Sequence, residues 1–407
     1  MVALALALGF VIGLAVFAVM NLSIWLTELI WNGTGTTPRF PWFSVVVCTL
    51  GGLVIGIWTH LSHDKVHELE EVLYKFKTTG SFHLESPGKA VVSFLLPLSF
   101  GGSVGFEAGL TGLITAGCCW IRDRLKAMGL AQAEVADATI AASLSAIFGA
   151  PLAGLVAAAE SSHDVDDYNM RRSVKLVLYL AAAVGAFGGI HLFSTLLGNA
   201  SGLPRFGAIA ATGTEFLWIV PCLALAYLLT LIFHASDFGS RTGASILDTL
   251  PFGTIAKPVV AGFIIGLVAM AFPLVLFPGE SQAHELMGTW QSWTAVALLA
   301  TGLLKAAATP LCIRLGWIGG VFFPCIFAGV ACGYGLATIT GVDPMLLVTI
   351  TTSGFLAGAT RKPLLSVAIL ALCFPLTGLL WSALAALIVG ALPLPYILQA
   401  KEGLSHD

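Results

Sequence analysis

From Ala3 to Ile30 the chain carries a single charged side chain, Glu28, and apolar runs of this kind recur to its far end. A helix of about 20 such residues spans the hydrocarbon layer of a bilayer. Further runs occupy 42–61, 138–159, 174–197, 215–234, 256–278, 292–307, 321–340, 363–381 and 383–398. Those at 90–104, 107–121 and 345–359 are shorter than a full span. Short segments interrupted by glycine or proline are typical of transporter helices that stop partway through the membrane. With 57% hydrophobic and 10% charged residues, against about a quarter charged in soluble domains, the expectation is an all-α polytopic membrane protein.

The net charge of −3 names no partner, and no basic stripe points to nucleic acid. The first run lacks a basic n-region and is longer than a signal-peptide core, so it reads as a retained helix. None of the eight cysteines forms a CxxC pair, which predicts buried free thiols without a redox or zinc role. His60, His63 and His67, with Asp64 and Glu68, would share one face of a helix and offer metal ligands, the basis of an alternative reading as a membrane metalloenzyme. No H-E-x-x-H signature accompanies them. A solvated interfacial turn is the expectation there, with no catalytic residue, metal or cofactor. Polar stretches fall at Ser62–Lys89, Ser161–Lys175 and Ser236–Lys257, and no soluble regulatory domain is expected.

Against this background Glu107 stands out. It lies in Gly101-Gly102-Ser103-Val104-Gly105-Phe106-Glu107-Ala108-Gly109, between the apolar runs Val91–Phe100 and Leu110–Ile121. An ionisable group at membrane depth is costly and marks a functional site by default. Broken backbone at that depth survives only where it is packed in protein or lines a cavity. A second glycine-rich break, Gly316-Trp317-Ile318-Gly319-Gly320-Val321-Phe322-Phe323-Pro324, lies in the other half. Each break is followed some forty residues later by a small-residue, proline-started helix, at Ala146–Gly154 and at Gly358–Ser366. Corresponding interruptions in two halves point to a binding site at a repeat interface. The expected division is residues 1–200 and 201–407.

The stretch Gly320–Pro324 has the character of a helix start. Proline is favoured in the first turn, and the free N–H groups of Val321, Phe322 and Phe323 then face outward at the positive end of the helix dipole. Such an end binds an anion without a full positive charge, and conduction requires that the ion be able to leave. Glu107 occupies the equivalent place in the first half. As a carboxylate it can compete for the anion site; when protonated it loses its charge and its reason to stay. Tyr396, after Pro393 and Pro395, offers a hydroxyl that either donates to an anion or belongs to an interfacial aromatic belt.

Taken together these motifs resemble the CLC family of chloride channels and chloride/proton antiporters. Gly105-Phe106-Glu107-Ala108-Gly109 stands where the family has Gly-Arg-Glu-Gly-Pro. Phe148-Gly149-Ala150-Pro151-Leu152-Ala153-Gly154 resembles its Asn-Ala-Pro-Leu-Ala-Gly segment, Gly320-Val321-Phe322-Phe323-Pro324 its Gly-x-Phe-x-Pro motif, and Arg361-Lys362-Pro363-Leu364 its Arg-Ala-Pro-Leu. The resemblance implies a CLC-type fold of two inverted repeats of tilted and partial helices, in a homodimer with one pore per subunit. It implies anion transport, with chloride as the default ion and protons as a second, in a prokaryotic inner membrane among lipid. Glu107 becomes the gating and proton-transfer residue. The amides of Val321 and Phe322 with the Tyr396 hydroxyl become the central anion site, and the amides around Phe106, Glu107 and Ala108 the outer one.

Departures from the family pattern accompany the match. Phe106 replaces the arginine before the gate. No Gly-Ser-Gly-Ile-Pro motif is present, and His63-Asp64-Lys65-Val66-His67 stands in its place. Either Lys65 neutralises Asp64, or the register slips and Ser62 is the ligand, or the inner site is remodelled. The inner proton-relay position of antiporters falls near Asn199, which cannot relay a proton as a carboxylate does. Alternatives are a fluoride- or other-anion-selective permease and a non-transporting homologue.

Overall fold

The computed structural model describes residues 2–31, 42–62, 87–107, 109–110, 133–148, 150–161, 172–197, 203–209 and 213–399. Within them the architecture is helical. Helices α1 (Val2–Trp31), α2 (Phe43–Ser62), α3 (Pro87–Ser99), α4 (Ala133–Phe148), α5 (Pro151–Ser161) and α6 (Arg172–Leu197) precede α7 (Ile219–Asp248), α8 (Gly253–Ala271) and α9 (Glu280–Thr289). Then follow α10 (Ala295–Arg314), α11 (Phe322–Thr340), α12 (Pro344–Thr360), α13 (Pro363–Leu370), α14 (Leu376–Ala391) and α15 (Tyr396–Gln399). Seven helical segments in the described residues are long and apolar enough to cross a membrane, and the chain is a multi-pass membrane protein.

Several apolar runs prove to be two structures. The run 90–104 is helical only to Ser99; residues from Gly102 to Phe106 leave the helix as irregular chain. The run 138–159 divides into α4 and α5, and 363–381 into α13 and α14, with a turn over Ala371–Pro375. Pro151, Pro344 and Pro363 each open a helix, where the missing N–H costs no hydrogen bond. Conversely, the polar stretch from Ser236 begins as helix, because α7 continues to Asp248.

Small residues set the closest helix contacts. On α2, a side chain at Gly52 or Gly56 would meet the backbone of α8 at Pro258 or Ile255. On α8, one at Gly262 or Gly266 would meet the backbone of α2 at Cys48 or Val45. With lipid as apolar as leucine, such close backbone approach is what drives helices together. Helices α11 and α12 lie at the centre: the α11 span is 83% enclosed, against 28% for the span containing α7. Because α11 is buried from Phe322 through Gly335, its N-terminus lies inside the protein, where a buried amide needs a partner.

Candidate functional site: two paired turns around Glu107

Helices α3 and α10 end in the same way. The Gly101 N–H donates to Leu98 O and the Gly102 N–H to Pro97 O; the Gly316 N–H donates to Ile313 O and the Trp317 N–H to Cys312 O. In both, the last helical carbonyls are closed by a residue of positive φ, 91° at Gly101 and 92° at Gly316. This is the cap for which glycine is suited, since an L side chain in that region costs about 1–2 kcal/mol. Four residues on, Gly105 and Gly320 pair with each other in an antiparallel bridge, Gly105 N to Gly320 O at 2.7 Å and Gly320 N to Gly105 O at 2.9 Å. Two residues further again come Glu107 and Phe322, 215 positions apart.

The Glu107 side chain crosses that bridge. Its Oε1 accepts the Phe322 N–H at 2.6 Å. Val321, the cap residue of α11, offers no side-chain acceptor, so a carboxylate from the other half of the chain takes the part that serine or aspartate usually plays at a helix start. A charge-assisted bond of this kind contributes roughly 1.5–3 kcal/mol. The position is tight: a Cβ on either Gly105 or Gly320 would run into the Glu107 carboxyl group. Glu107 is fully buried, and its Oε2 has no hydrogen-bond partner.

Aromatic rings close the surroundings. Phe106 meets Phe323 edge-on at 5.7 Å, and Phe148, at the end of α4, stacks on Phe323 at 5.3 Å and tilts against Phe322 at 5.5 Å. All four rings are at most 6% exposed. Where the family pattern has arginine, Phe106 therefore supplies packing and no charge.

Alternate residues of the first break face the second half of the chain. Gly101 O accepts from the Phe277 N–H at 3.3 Å, the Ser103 hydroxyl lies 3.4 Å from that of Thr309, Gly105 pairs with Gly320, and Glu107 reaches Phe322. This period of two is that of an extended chain, and it makes the break a rail laid along the second half.

Of the residues expected at the site, the structure brings together Glu107, Phe106, Val321 and Phe322, and adds Phe148. Ala108 and Asn199 lie outside the described residues, as do His63, Asp64, Lys65, His67 and Glu68. Ser62 closes α2, with its carbonyl accepting from Lys89 Nζ at 3.2 Å. Tyr396 is not with Glu107: it is 85% exposed at the start of α15. Just before it, the Tyr227 hydroxyl donates to Pro393 O at 2.6 Å. Arg361 caps α14, its guanidinium donating to Gly390 O and Leu392 O at 2.9 Å each. Lys305 was not anticipated. It is fully buried on α10, and its signal was available, as a lone cation in the apolar run 292–307.

With this geometry in place, comparison with known proteins identifies the family. The family model described as voltage gated chloride channel matches residues 65–392. The chain belongs to that family. It is 24% identical over 419 residues to "Putative ion-transport protein YfeO" of Escherichia coli, covering 99% of this chain and 96% of the relative, and equally so to the Escherichia fergusonii protein of that name. Among solved structures it is similar to a CLC-type fluoride/proton antiporter, with a TM-score of 0.72 at 17% identity over 95% of each chain. A slow cyanobacterial Cl−/H+ antiporter gives 0.71 at 17% identity, over 95% of this chain and 94% of that one. These likenesses establish the CLC-type fold with its inverted repeats of tilted and partial helices.

Proposed function

We propose that this protein is an anion permease of the CLC type, with chloride as its default ion, gated by the Glu107 carboxylate. The observation that carries the reading is the 2.6 Å bond from the Phe322 N–H to Glu107 Oε1, with Oε2 buried and unpartnered. The positive end of α11 is a place for an anion, and a tethered anion holds it. The bare oxygen is where a proton would add. Protonation discharges the carboxyl group and weakens its claim on the amide, and a free anion then competes for the amides of Val321 and Phe322. Names of the similar structures, a fluoride/proton and a Cl−/H+ antiporter, support protons as the second substrate. The same reading takes residues 1–200 and 201–407 as the two repeats, the unit as a homodimer with one pore per subunit, and the location as a prokaryotic inner membrane. Transport, not catalysis, is its activity. Asn199 and Ala108 keep their proposed places as inner relay position and outer-site amide.

The test is halide and proton flux in liposomes with Glu107→Gln. Glutamine fills the same volume but cannot take up and release a proton in this range, so halide flux should persist while its pH dependence flattens and proton coupling, if present in the parent, disappears. An unchanged pH response would remove Glu107 from the gate.

A further inference from the structure

Outside the turns already described, the most unusual group in the molecule is Lys305. Its ammonium donates to four successive carbonyls, Leu274 at 3.4 Å, Val275 at 3.1 Å, Leu276 at 2.9 Å and Phe277 at 2.6 Å, and stands 5.1 Å above the centre of the Phe327 ring. An ammonium has three protons and no lone pair, so the four carbonyls satisfy it, one proton being shared between two of them. Successive carbonyls do not ordinarily converge on one point. Here they do so because the chain curls after Pro273–Val275 and because Phe277 adopts a φ of 62°, a left-handed conformation rare for an aromatic residue. Strain held by its surroundings marks a segment with a task.

What the curled segment holds is the rail. The Phe277 N–H donates to Gly101 O at 3.3 Å, and its ring packs edge-on against Trp31 at 5.1 Å. The Trp31 indole N–H in turn donates to Ser99 O at 3.0 Å, and the same indole occupies the space a side chain on Gly101 would need. One turn beyond Lys305, Thr309 meets Ser103. Lys305 thus fastens the residues at which α3 ends and the extended segment carrying Glu107 begins. We propose that Lys305 is a positioning residue for the Glu107 gate: by gathering the carbonyls of 274–277 it fixes the turn that clasps Ser99 to Gly101, and so sets where Glu107 can reach. This rests on Glu107 acting as the gate. Among the described residues, one titratable group interacts with both charges, Cys325. Cys312 of α10 and Cys325 of α11 interact electrostatically with Lys305, and Cys325 also with Glu107.

The experiment is a double-mutant cycle in liposomes, with halide flux measured across a pH series. Lys305→Met keeps most of the side-chain length and removes the charge. If Lys305 acts through Glu107, Lys305→Met alters flux by about threefold or more and displaces its pH profile in the parent, yet changes flux by less than about twofold in the Glu107→Ala background. Equal fold-changes in both backgrounds would overturn the proposal, and would make the ammonium a general electrostatic or structural element. Should Lys305→Met fail to give monodisperse protein, Trp31→Phe cuts the other limb of the clasp while keeping an apolar ring. It should displace the pH profile in the same direction, and only when Glu107 is present; an unmoved profile would overturn the proposal. If Glu107→Gln itself leaves the pH response intact, the gate reading fails first and is distinguished from failure of the clasp.

Discussion

The two turns, Gly101–Glu107 and Gly316–Phe322, are the same backbone device used for opposite purposes. Both close a helix through a glycine of positive φ, both run to the shared Gly105–Gly320 bridge, and in both helical backbone resumes two residues later, at Glu107 and Phe322. Their difference lies in one side chain. The first presents a carboxylate and the second presents the amide that receives it. The amides at the positive end of α11 would otherwise be left without a side-chain cap, and the Glu107 carboxylate supplies it from the other half of the chain. The fold supplies symmetry, and Glu107 breaks it.

The sharpest way to break this comparison is at the bridge. Gly320→Ala places a methyl group where the Glu107 carboxyl lies, with an overpacking penalty of about 1–3 kcal/mol. Halide flux should fall by about tenfold or more, the scale of that penalty if it falls on the transport step. Combining it with Glu107→Ala should restore much of the loss, because the carboxyl group is what the methyl meets. Equal damage in both backgrounds would mean that the glycine serves the bridge alone.

The next effect separates the two caps. Gly101→Ala and Gly316→Ala both put a side chain at positive φ, at about 1–2 kcal/mol each. Gly101 also leaves no room: its Cβ would stand 2.9 Å from the Trp31 ring, whereas at Gly316 the nearest atom is a Pro258 ring carbon at 3.1 Å, with little else near. Thermal unfolding in detergent should show Gly101→Ala as the more destabilised. Equal shifts would mean that φ alone sets the cost and that Trp31 yields.

Much of this was legible before the structure. A glycine-rich stretch around a lone carboxylate, and Gly-Gly followed closely by proline, specify broken backbone at membrane depth in each half, which survives only where it is packed in protein or lines a cavity. The bridge joining Gly105 to Gly320 was not legible, because glycine carries no pattern that names its partner. Nor was the enclosure by Phe148: a phenylalanine at the end of an apolar run looks the same whether it faces lipid or a site. The setting of Tyr396 was not legible either, because the prolines before it do not say which way the chain turns, and its side chain stands 85% exposed. Lys305 was legible as an anomaly but not as a clasp, since its partners are carbonyls, which every residue has.

The smallest expected effect tests whether the aromatic rings take part in gating or only pack. Phe106 corresponds to Val321 across the bridge, and its ring meets Phe323 edge-on. Aromatic pairs of this kind contribute about 0.5–1.5 kcal/mol beyond the area they bury. Phe106→Leu keeps most of the apolar volume and loses the pair, so it should lower thermal stability by about that amount and leave the pH dependence of flux in place. If Phe106→Leu flattened the pH profile as strongly as Glu107→Gln, the ring would instead be what holds the carboxylate in its seat. The symmetry would then be broken by a phenylalanine and a glutamate acting together, with the ring supplying the position and the carboxylate the charge.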